Sequence, residues 1–161
     1  MRVINEIIVH CSGTKDKVDI GAKEIKEYHT TPPPLGRGWK DIGYHYVIRL
    51  DGTIERGRLI SKAGAHCYGH NAHSIGVCYV GGLDQSGQFA DTRTRAQKAA
   101  LLKLITNLVK VYHCDIHGHH EYNKTKPCPC FDAHKEYTNI YRRTVGIPEI
   151  KIEEKDDIVT L

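Results

Sequence analysis

No long apolar run occurs anywhere in the 161-residue chain. A membrane-spanning helix needs about 20 consecutive apolar residues, so none is expected. The N-terminus, MRVINEIIVHCSG, has one early Arg but only Ile7-Ile8-Val9 where a signal peptide requires a longer apolar region. That predicts synthesis in the cytoplasm without a secretion signal. Internal repeats, low-complexity tracts and a linker are also lacking. One domain is therefore expected over residues 1–145, followed by a charged, peripheral tail at 146–161. Dense Lys/Arg patterning is missing as well. The net charge of +4 suits an anionic polymer but excludes a dedicated nucleic-acid binder.

What the chain does have is the balance of a folded globule, 40% hydrophobic and 26% charged. A single core is feasible, since a chain of about 150 residues buries roughly two-thirds of its unfolded surface. The compositional oddity is six Cys with eleven His. Three disulfides would suit a secreted mini-protein, but this chain is too long to need them and shows no signal peptide. Thiols with abundant imidazole point instead to a metal.

Periodicity places the elements. Residues 4–10 read as a buried strand, and Asp19 as the N-cap of a helix to about His29 that turns Ile25 and Tyr28 inward. Pro32-Pro33-Pro34 ends it. From Tyr44 to Leu50 the chain alternates, with Tyr44, Tyr46, Ile48 and Leu50 on one face, and Asp51-Gly52 supplies the two central residues of a hairpin. Residues 57–73 form an irregular loop and 74–80 a buried strand. Thr94 and Gln97 fit a capping box that opens the longest helix, to about Tyr112, with an apolar stripe of Ala100, Leu101, Leu104, Ile105, Leu108 and Val111. A short strand at 116–120, a helix at 132–142 and an edge strand or loose tail at Ile150 and Ile152 complete the reading. The fold class is α/β: a central mixed sheet of about five strands with helices on both faces.

A hydrolytic zinc site needs three protein ligands and one open vertex for water. His10 ends the first strand, His119 ends the short late strand, and Cys128 stands between two prolines. Alone, each is most simply structural. A competing set, Cys114, His117, Cys128 and Cys130, has spacings that would close a structural Cys3His site with no reactive water. Spacing does not choose between the two sets, nor between His119 and His120.

Several ordered blocks carry a resemblance: IIVHCSGTK, GWKDIGYHYVIRLDGTIERGR, GAHCYGHNAHSIGVCYVGGLD, and GHHE followed by KPCPCFD. The sequence resembles the zinc-dependent N-acetylmuramoyl-L-alanine amidases of the phage T7 lysozyme type, which share a fold with peptidoglycan recognition proteins. The resemblance implies one Zn2+ held by His10, His119 and Cys128. It implies catalytic roles for Tyr44 and Lys126, and substrate contacts from His66 and nearby Asn71. It also implies a monomeric peptidoglycan hydrolase, acting on the wall after release. The bond cut would be the amide between the muramoyl lactyl group and the L-alanine of the stem peptide, by zinc-activated water. Two departures stand out. EYNKTKPC is one residue longer than the family pattern, which makes Lys124 a rival of Lys126, and Cys130 replaces a serine two residues after the Cys ligand. A non-catalytic peptidoglycan-binding module is the alternative, against which the presence of Cys128 counts. Cys11, Cys67 and Cys78 read as small buried hydrophobes, and Trp39 as a packing anchor or a platform for sugar or peptide.

Overall fold

In a computed structural model, which describes residues 1–149, the elements run β1 (Glu6–Cys11), β2 (Thr14–Lys15), α1 (Ala22–Thr30), β3 (Tyr46–Ile48), β4 (Ile54–Arg56), β5 (Ser74–Tyr79), β6 (Gly82–Leu83), α2 (Arg95–Tyr112), β7 (Asp115–Gly118), a 3-10 turn (His119–Glu121) and α3 (Ala133–Thr144). The expectation for Ile150 and Ile152 lies outside the described residues. Five strands form one mixed sheet in the order β4-β3-β5-β1-β7, with β1 parallel to both its neighbours and only β4 antiparallel. β1 and β5 are buried along their whole length, because helices cover both faces of the central parallel strands. On one face Ile7, Val9, Ile75, Val77 and Ile116 meet Leu101 and Ile105 of α2 and Tyr137 of α3. On the other, Val47, Val80 and Ile42 meet Ile25 of α1. Each fully buried Leu or Ile contributes about 1.5–3 kcal/mol of transfer free energy.

Parallel pairing decides where the polar ends of the strands meet. Val9 stands opposite Gly118, so the next residues, His10 on β1 and His119 after β7, emerge side by side. A small parallel pair, β2 with β6, continues beyond. It requires glycine at position 82: φ is 100°, and a Cβ there would sit 2.5 Å from Cys11 Sγ.

Four local expectations are corrected. The N-cap of α1 is Gly21, while Asp19 pairs with Arg49, and the helix turns Ile25 and His29 inward and leaves Tyr28 exposed. On β3 the alternation holds only for Tyr46 to Ile48; Tyr44 and Leu50 pack with Val47 on the opposite face, because the chain is not extended beyond the strand. The hairpin loop has three residues, closed by Arg49 N–H donating to Thr53 O at 2.9 Å, with Gly52 as its left-handed third residue at φ 86° rather than half of a two-residue turn. On α2, Val109 is buried and Val111 exposed. The capping box itself forms as expected: Gln97 N–H donates to Thr94 Oγ1 and Thr94 N–H to Gln97 Oε1.

Candidate metal centre and cleft

His10 faces the α1 side of β1, opposite Val9 and Cys11, and is buried. His119 opens the 3-10 turn, so the late strand stops at Gly118, short of the expected residue 120. Cys128 is brought over the end of β1 by the loop before α3, where its carbonyl accepts from His120 N–H at 2.7 Å and its sulfur from Cys11 N–H at 3.3 Å. The His10 Nδ1 to Cys128 Sγ distance is 3.9 Å, the His10 and His119 rings lie 4.5 Å apart, and the three donor atoms are all within 4.8 Å of one another. Two imidazoles and a thiol at this spacing, lining a cleft, are a donor set that would fit zinc. Burial, followed by the neighbouring His66 and His119, holds the His10 pKa well below its usual range; burial and then Lys126 lower that of His119. Both rings are therefore neutral, the form in which a histidine binds metal.

Behind His10 stands a short relay. His10 Nε2 is 2.9 Å from His66 Nδ1, and His66 Nε2 is 3.1 Å from Ser74 Oγ. With His10 Nδ1 turned toward Cys128, Nε2 carries the proton and donates to His66, which donates onward to Ser74. The His66 ring fits only because residues 64 and 76 are glycines; a Cβ on Gly76 would lie 2.6 Å from it.

The cleft, of about 650 Å³, has His10, Tyr44, His66, His119 and Cys128 in its lining, with the exposed Lys126 beside them. Tyr44 lies 5.1 Å from the His10 ring, its backbone held by Arg58 N–H donating to its carbonyl at 2.8 Å. Burial, aided by the nearby thiols Cys78, Cys128 and Cys11, raises its pKa well above the ordinary phenol value. Trp39, Tyr28 and Phe89 contribute aromatic wall, with the Arg37 guanidinium 5.6 Å from the Trp39 ring and 5.9 Å from that of Tyr28.

Of the residues singled out in the sequence, His10, His119, Cys128, Tyr44, Lys126 and His66 are thus brought together. Lys124 lines only a neighbouring hollow with His120 and Phe131. Asn71 does not line the cleft; its Oδ1 accepts from the N–H groups of His66 and Cys67 at 2.8 and 3.0 Å and so shapes the loop. The competing Cys3His set is not assembled. Cys114 is buried in the α2-side core, and among the described residues neither group with metal-donor spacing contains it or Cys130. Cys130 turns instead toward Cys11, their sulfurs 3.9 Å apart. Ser74 escaped notice in the sequence, where its only signal was a polar residue opening an otherwise buried run.

The family model for N-acetylmuramoyl-L-alanine amidase matches residues 1–131. The endolysin of Escherichia phage T7 is 42% identical over 127 residues, 78% of this chain and 80% of the relative. The endolysin of Klebsiella phage KP32 is 41% identical over 128 residues, covering 80% and 82%. Among solved structures, the N-acetylmuramoyl-L-alanine amidase LysC from Clostridium intestinale superposes with a TM-score of 0.68 at 27% identity, over 90% of this chain and 87% of that one. Drosophila peptidoglycan recognition protein SA shares the fold, with a TM-score of 0.66 at 21% identity over 86% and 79%.

Proposed function

The chain belongs to the N-acetylmuramoyl-L-alanine amidase family and is a peptidoglycan hydrolase, and from that premise we propose that His10, His119 and Cys128 hold one zinc ion at the floor of the cleft. The observation that carries this reading is the convergence of three donors from segments far apart in the chain, beside a protonated phenol and an ammonium group. When bound, zinc supplies a Lewis acid that lowers the pKa of a coordinated water to about 7. The bond cleaved is the amide joining the lactyl group of N-acetylmuramic acid to L-alanine.

The residues of the chain do the rest. The Cys11 N–H bond to Cys128 Sγ holds the sulfur in place, and the His10–His66–Ser74 relay fixes the orientation of the His10 ring and keeps the proton on Nε2. His66 is in this account a positioning residue, and Asn71 secures the loop that carries it. Tyr44 keeps its proton at neutral pH and acts as a donor, orienting the attacking water or the amide carbonyl. Lys126 offers its ammonium to the oxyanion that forms as the carbonyl is attacked, a contribution typically worth about 100- to 1000-fold in rate. The aromatic wall with Arg37 gives glycan and stem peptide a surface to lie on. All three ligands come from one chain, so a monomer suffices. The phage relatives are named endolysins, which supports action on the cell wall after release, with residues 1–145 carrying the activity.

Mass spectrometry of digested peptidoglycan, with and without a chelator, tests this. The expected products are free stem peptides and glycans with intact sugar linkages, lost on chelation and restored by zinc. Cys128→Ser is expected to abolish both zinc retention and peptide release. New reducing ends, or full release by the chelated protein, overturn the proposal.

A further inference from the structure

A second set of ligand-type side chains stands at the free edge of the sheet, outside the cleft lining. Asp115 and His117 alternate on β7, the edge strand, and His134 is the second residue of α3. Their donor atoms all lie within 4.8 Å of one another, and no role described above uses them.

Each group is also held by a hydrogen bond to a neighbour outside the set. His117 Nδ1 is 3.0 Å from Glu121 Oε1; a carboxylate only accepts, so Nδ1 donates there, and Nε2 faces Asp115 Oδ2 at 3.6 Å. His134 Nδ1 donates to the Ile116 carbonyl at 2.9 Å and lies 3.8 Å from Asp115 Oδ1, so a metal would be met by Nε2 after the ring turns, or by Nδ1 in exchange for that bond. Asp115 Oδ1 accepts from Ile116 N–H at 2.8 Å, and Oδ2 is free. The two rings stack with centroids 5.1 Å apart. Metal-binding histidines characteristically donate their second ring N–H to a carboxylate or a backbone carbonyl, and here one does each. The carboxylates of Asp115 and Glu121 balance a doubly charged cation.

The geometry points to a second divalent-metal site formed by Asp115, His117 and His134, for zinc or another cation that prefers imidazole with one carboxylate. Bonds of about 2.1 Å place tetrahedral ligands about 3.4 Å apart, so closing the site takes side-chain rotation of about an ångström. All three side chains are partly exposed and free to make it. The ion ties the first turn of α3 to β7. Cys128 lies six residues before His134 in the loop leading into α3, and His119 two after His117, just past the end of β7. Occupancy of the edge site therefore braces two of the three ligands proposed for the cleft.

Cobalt(II) titration of the metal-free chain, followed by absorbance, metal analysis and thermal melting, separates the two sites. One equivalent is expected to show a thiolate-to-cobalt charge-transfer band from Cys128. A second is expected to add only d–d absorption, since no sulfur is among its ligands, and to raise Tm by about 5–10 °C at a hundredfold excess over its Kd. His134→Ala, at a partly exposed position, and Asp115→Asn, which keeps the bond to Ile116 N–H, are each expected to remove the second equivalent and its Tm increment while the charge-transfer band stays. Saturation of the unaltered chain at one equivalent overturns the proposal, as does a second equivalent that survives both variants or adds further thiolate absorption. Failure of the cleft reading shows differently, as a charge-transfer band that persists in Cys128→Ser.

Discussion

At Tyr44 the phenol is held protonated by burial beside His10 and by the thiols around it, which is the form the proposed donor role requires. Removing the hydroxyl takes away one donor and no proposed metal ligand. Tyr44→Phe is accordingly expected to lower kcat about 100- to 1000-fold with zinc content unchanged, measured by peptide release alongside metal analysis. A loss of zinc would make the residue structural, and undiminished turnover would remove its role. At this scale the sequence was legible only in part. His10, His119 and Cys128 sit in three separate segments, and spacing works only within a segment, so it was the resemblance that singled them out from Cys114, His117 and Cys130. The place of His66 behind His10 follows from a contact across 56 residues and from the room left by Gly64 and Gly76, which no local pattern records.

Gln97 shows the same limit for an element. The sequence pattern identifies it as half of a capping box, and the box is present. The side chain is also fully buried, with Nε2 donating to Val80 O at 2.8 Å and Ile48 O at 3.3 Å, which fastens the start of α2 to the ends of β5 and β3. Gln97→Leu leaves two buried carbonyls with a lost partner and undoes the cap. A loss of about 2–3 kcal/mol is expected, read as a drop of about 5–10 °C in Tm. A mere cap would cost about 1 kcal/mol, so the size of the loss distinguishes the two roles. Element existence was readable because helical and strand periodicities differ; Tyr28 against His29 and Val111 against Val109 were not, because a one-residue rotation of a helix barely alters its apolar pattern.

For the whole molecule, the layering of helices over a mixed sheet follows from wholly buried strands alternating with amphipathic helices, and the imidazoles held neutral inside those layers have a consequence for pH. His45 Nδ1 accepts from Gly76 N–H at 2.9 Å, and His29 Nδ1 accepts from Gly43 N–H at 3.0 Å. A backbone N–H only donates, so both rings must be neutral in the fold, and burial above all lowers each pKa to about 4. In the unfolded chain the same groups return to about 6.5. Between those values the unfolded state binds more protons than the folded one, so stability rises with pH across the window and is lost as pH falls through it. Two such groups remove about 3–4 kcal/mol between pH 7 and pH 5. His10 and His66, also buried and neutral, act in the same direction. Urea unfolding at the two pH values, with chelator present throughout so that metal loss does not contribute, gives the comparison. The substitution His45→Gln supplies an amide oxygen that accepts from Gly76 N–H and an NH2 group that reaches toward the Lys62 carbonyl. It is expected to flatten the pH dependence by about half of the two-histidine share. Equal stability at pH 5 and pH 7, or an undiminished slope in the His45→Gln variant, would mean that these interior imidazoles do not govern the acid limit of the fold.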